Sequence, residues 1–153
     1  MVREAYRQAA QFFVQVVAQI PDDRWDLPGL GVWTVRALVG HASRALTTVE
    51  TYWARPANRV DIPGPVDYFL RGLETPGAAA SIAQRGREAG QALGSDPAAT
   101  VREAAQRVLT GLEQVPDTAL LSVPGGGIRL IDYLSTRVLE LTIHTLDITA
   151  ATG

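Results

Sequence analysis

The chain has 153 residues, the length of one domain and enough to bury about two thirds of its unfolded surface in a single core. Fourteen Lys and Arg against sixteen Asp and Glu leave a net charge of −2 with the basic residues scattered, which argues against nucleic acid as a partner. There is no cysteine, so disulfide frameworks, cysteine-based zinc sites and a protein thiol nucleophile are excluded, and any sulfur chemistry must use a thiol from outside.

The N-terminus carries Arg3, Glu4 and Arg7 with no cleavable apolar core behind them, and no apolar run approaches the roughly 18 residues of a membrane span. A cytoplasmic protein with no membrane partner is expected. From Val2 to Ile20, apolar residues Tyr6, Ala9, Ala10, Phe13, Val17 and Ile20 recur at spacings of three and four, which predicts an amphipathic helix stopping at Pro21. After a turn-rich stretch to Trp33, Thr34 is placed as the N-cap of a second helix running to about Ala54. Its expected core face is Val35, Val39, Ala42, Leu46, Val49 and Trp53, and its expected water face Arg36, Gly40, Ser43, Thr47 and Glu50. Pro56, Pro63, Pro65 and Pro76 break the pattern over the next twenty or so residues, with a short helical piece near Val66 to Leu73.

An alanine-rich helix is predicted from Gly77 to Leu93, and Asp96 followed by Pro97 signals the start of another, to about Val115. Ser122 to Gly127 reads as a proline and glycine turn, and the Leu120 to Val123 run as too short to count as a strand. The last helix, Leu130 to Ala150, is apolar over most of its circumference, which predicts a central position. These signals predict an all-α fold over residues 1–153: a four-helix bundle with a long second connection and up-down-down-up order.

On that last helix Tyr133, Arg137, Glu140, His144 and Asp147 form one polar line at steps of four and three, flanked by apolar and small residues. Such a line is either a water-facing edge or a set of inward polar groups with partners, since unpartnered buried polar groups cost roughly 1–3 kcal/mol each. Glu140 and His144, four apart, present a carboxylate and an imidazole on one face. The second of the chain's two histidines, His41, lies on the second helix among small neighbours. If those helices are neighbours, His41, Glu140 and His144 form a three-ligand set with an open position, the catalytic pattern for zinc. His41 bonded to a backbone carbonyl in the core is the alternative for that residue. Arg137 and Arg44 are candidates for a substrate carboxylate or for ion pairs with Asp147. Asp147 could orient a ligand imidazole, and Tyr52 and Tyr133 are candidate proton donors.

The phrase Gly31-Val32-Trp33-Thr34-Val35-Arg36-Ala37-Leu38-Val39-Gly40-His41 resembles the helix-two signature of the mycothiol-dependent maleylpyruvate isomerase family, within the DinB-like metalloenzyme superfamily. The tail from Arg137 to Asp147 is similar to that family's second signature. The resemblance implies a DinB-like four-helix bundle holding zinc through His41, Glu140 and His144, with mycothiol or a similar thiol as co-substrate. Nickel or iron would accept the same donors. The function it implies is activation of a low-molecular-weight thiol for attack on an electrophilic substrate, as a thiol S-transferase or a maleylpyruvate-type isomerase. The family's isomerases carry a further sterol-carrier-like domain that these 153 residues do not include. Two other readings stay open: a metal-water hydrolase on the same bundle, and a non-catalytic helical module that forms a homodimer through an exposed apolar face.

Overall fold

A computed structural model describes residues Met1–Gly153. Helix α1, Val2–Val17, buries Tyr6, Ala10, Phe13 and Val17 along one face. It ends before Ile20, where the chain tightens into turns ahead of Pro21, yet Ile20 remains in the core. A 3-10 turn at Asp22–Arg24 leads into a segment that folds back on the start of α2, with the Val35 amide donating to Leu27 O and that of Arg36 to Trp25 O.

Helix α2, Val35–Trp53, is capped as its sequence predicts: Thr34 Oγ1 accepts from the Ala37 amide at 3.2 Å. Helix α3 follows at Pro65–Glu74, α4 at Ala78–Ala92 and α5 at Pro97–Leu112, the last capped by Asp96 Oδ1 on the Ala99 amide at 2.9 Å. The run read as too short for a strand does pair: β1, Leu120–Val123, and β2, Gly126–Arg129, form an antiparallel hairpin with Leu121 opposite Ile128. Gly125 and Gly126 at φ 98° and 129° make the reversal, and Leu121, Val123 and Ile128 join the core, so burial stabilises strands too short to form alone. Helix α6, Leu130–Thr152, completes the chain. The protein is therefore mainly helical with one small sheet, and no helix is long and apolar enough to cross a membrane.

The contacts that place the site lie between α2 and α6. They run antiparallel, with Thr48 meeting Tyr133 at one level and His41 meeting Glu140 two turns away. The hairpin pins the start of α6, the Leu130 amide donating to Ala119 O, and ties it to the long connection after α2, where the Asp61 and Ile62 amides donate to Gly127 O.

Two expectations about faces change. Gly40 and Ser43, assigned to water, are buried, because α4 packs across that side of α2. The approach is glycine on glycine: a Cβ on Gly40 would run into the backbone of Gly90. Helix α6 is not surrounded either. Its polar line turns inward, with Tyr133 fully buried and Arg137 8% exposed, while Leu139, Ile143 and Leu146 stand 47%, 46% and 56% exposed on the opposite side. The water-facing edge is thus the apolar one. The helix has neighbours in α1, α2, α3 and β2 and none over that outer stripe.

Candidate metal centre

The three residues singled out for a metal come together. His41 Nε2 lies 3.4 Å and His144 Nε2 3.3 Å from the same oxygen, Glu140 Oε2. The helical spacing of four sets the second distance; the α2–α6 packing sets the first. One donor atom from each residue falls within 4.8 Å of the others, and the two imidazoles meet nearly edge to face at 80°.

These separations fit a cation better than a hydrogen-bonded pair. Charge-assisted N–H···O bonds run about 2.7–2.9 Å. Two donors each about 2 Å from a tetrahedral ion stand about 3.3 Å apart. Two imidazole nitrogens and a carboxylate oxygen suit zinc and its divalent neighbours.

The electrostatics favour an ionised carboxylate. Burial alone would raise the Glu140 pKa, but the imidazoles of His144 and His41, with the charge of Arg137, outweigh it and hold the group well below the usual carboxylate range. His144 shows the mirror effect: burial lowers its pKa, while Glu140 and Asp147 raise it further, for a net upward shift.

Around the triad the two histidines are held differently. His144 Nδ1 faces Asp147 Oδ2 at 3.1 Å, the contact foreseen for Asp147. His41 Nδ1 is buried with no hydrogen-bond partner at all. Its ring instead stacks on Trp33, centroids 4.4 Å apart and 27° between planes. In the sequence Trp33 stands out only as part of a motif, because stacking leaves no spacing signal.

With Asp147 engaged by His144, the ion pairs considered for Arg137 and Arg44 with Asp147 do not form. Arg137, a turn before Glu140, lies over the rings of Tyr133 and Tyr68 at 4.8 and 5.4 Å, and its Nε donates to Thr136 Oγ1 at 2.9 Å. No carboxylate pairs with it, and its terminal nitrogens keep some access to solvent. Arg44 is half-buried one turn from His41. Tyr52 is not brought to the triad: eleven residues, about 16 Å of helix, separate it from His41, and its ring packs on Tyr133. Tyr133 is also committed, its hydroxyl donating to Thr48 Oγ1 at 2.7 Å and its pKa pushed far up by burial.

Converging nitrogen, oxygen and nitrogen donors on two antiparallel helices define a helical protein with a candidate mononuclear metal centre. The sequence matches the family described as mycothiol maleylpyruvate isomerase N-terminal domain over residues 6–149, and the chain belongs to that family. No curated protein and no solved structure matches it.

Proposed function

We propose that this chain is a metal-dependent enzyme that activates a low-molecular-weight thiol, mycothiol or a close relative, for attack on an electrophilic carbon. The product is an S-conjugate if the new carbon–sulfur bond persists, as in a thiol S-transferase. It is an isomerised substrate if that bond breaks again after rotation. The single observation that carries this reading is the convergence of His41, Glu140 and His144 on one point; family membership supports the thiol. The absence of cysteine means that the nucleophilic sulfur belongs to the co-substrate.

In this reading His41, Glu140 and His144 hold zinc or a similar divalent ion such as nickel, within a DinB-like bundle made by α1, α2, α6 and the successive helices α4 and α5, which pack along α2 as one interrupted rod. The parallel course of α2 and α5, seen in the pairs Glu50–Arg107 and Trp53–Gly111, supports the up-down-down-up order. Such an ion supplies the positive charge that lowers a thiol's pKa toward neutrality. Asp147 fixes the ring of His144. Arg137, a permanent cation with unfilled donors beside the triad, binds a carboxylate of the substrate or thiol, with Arg44 as a second cation at the same level. Tyr52 backs the ring of Tyr133, one of the two rings against Arg137.

The test pairs elemental analysis with thiol dependence. Protein purified without chelator should carry one divalent ion per chain, His144→Ala should lose it, and substrate consumption should require mycothiol. Ester or amide hydrolysis without thiol would instead support the hydrolase, and absence of metal a non-catalytic module.

A further inference from the structure

We propose that Trp33 is the positioning residue for the His41 imidazole: pinned to α4, it fixes by ring stacking the orientation that Asp147 fixes in His144 by a hydrogen bond. This inference rests on the metal reading of the triad given above.

Imidazoles that ligate a metal through one nitrogen are ordinarily held by a carboxylate or carbonyl on the other, which sets the tautomer and the ring plane. His144 has that anchor in Asp147. His41 does not, although its Nδ1 is buried and partnerless while its Nε2 is turned to Glu140. The ring of His41 must therefore be oriented by packing, and the closest aromatic partner is Trp33, lying across its face at 4.4 Å and meeting His144 edge-on at 6.5 Å.

Trp33 is itself fixed from outside the ligand helices. Its indole N–H donates to Ala83 O of α4 at 2.9 Å. The edge carrying that nitrogen rests on Gly86, where a Cβ would come within 2.7 Å of the ring. The close passage of α2 and α4 at Gly40 and Gly90 brings Gly86 near enough for this seat. Helix α4 contributes no ligand, yet through one indole it sets the plane of one. The arrangement leaves His41 with freedom to slide against the stack that a hydrogen bond would remove, and it makes His41 the more easily perturbed of the two histidines.

The experiment uses the full chain stripped with chelator and titrated with Co2+, followed by its d–d absorption, with zinc affinity from competition against a chromophoric chelator. Trp33→Leu should weaken affinity about tenfold or more and alter the cobalt spectrum, whereas Trp33→Phe, which keeps a ring over His41 but loses the bond to Ala83 O, should lose clearly less than Trp33→Leu. Gly86→Ala removes no side chain of the site and crowds the indole against α4, so it should behave like Trp33→Leu. Thermal melts identify any variant that has lost its fold, and Gly86→Ala with Trp33→Phe then decide the matter. Wild-type affinity and spectrum in Trp33→Leu or Gly86→Ala, beside a His41→Ala that loses metal, would overturn this proposal alone. A wild-type chain that takes up no cobalt or zinc would overturn the metal reading with it.

Discussion

Glu140 is the residue on which the candidate centre turns, because a single oxygen faces both imidazoles. A half-buried carboxylate is stable as an anion only with positive or donor groups around it, and here two imidazoles and a guanidinium supply them. Asp147 extends that arrangement outward. Asp147→Asn keeps the shape but weakens the hold on His144 Nδ1, and we expect metal affinity to fall about tenfold, read by chelator competition. Arg137 has no carboxylate partner in the fold, and the proposed function gives its charge to a carboxylate of the substrate or thiol. Arg137→Gln should raise the KM of a carboxylate-bearing substrate about tenfold or more, equivalent to about 1.4 kcal/mol of binding, with kcat changed less. An unchanged KM would show that the guanidinium serves only its aromatic neighbours.

Among the elements, the pair α2 and α4 shows what a glycine can decide. Gly40 on α2 and Gly90 on α4 let two backbones meet where side chains would hold them apart. Gly40→Ala forces the helices to separate and should cost about 1–3 kcal/mol, measured as a lower midpoint in urea at unchanged slope. The same spreading should disturb Trp33 through Gly86. The caps behave as their sequence predicts: Thr34→Ala removes the acceptor for the Ala37 amide and should cost about 1 kcal/mol. The hairpin was not legible in the same way, since four-residue strands carry too little pattern and what holds them, the bonds from the Asp61 and Ile62 amides to Gly127 O and the burial of Leu121 and Ile128, comes from distant parts of the chain.

Across the whole molecule, the long connection after α2 is more than a linker, because it holds the hairpin from which α6 starts. Asp61 is the clasp: its carboxylate accepts from the Gly127 amide at 2.9 Å and pairs with Arg59 at 2.7 Å, and the Gly127 bond first, then Arg59, holds its pKa below the ordinary value. A group whose folded pKa is depressed adds stability above its unfolded pKa of about 3.9, and loses it as pH falls through the folded value. Asp61→Ala should therefore lower Tm at pH 7, and the gap to wild type should narrow as the medium is acidified below the unfolded value and through the lower folded one. A gap independent of pH would assign the effect to packing rather than charge.

The order of the helices, their caps, the placing of Glu140 and His144 on one helix face and the absence of a protein thiol all follow from local spacing and composition, because helical period and capping act within a few residues. Which side of α6 meets water does not follow, since a helix apolar nearly all round carries no mark of the side its neighbours leave open. The meeting of His41 with Glu140, and the seat of Trp33 on α4, likewise depend on the interlocking of helices far apart in the chain. Only tertiary packing fixes those distances.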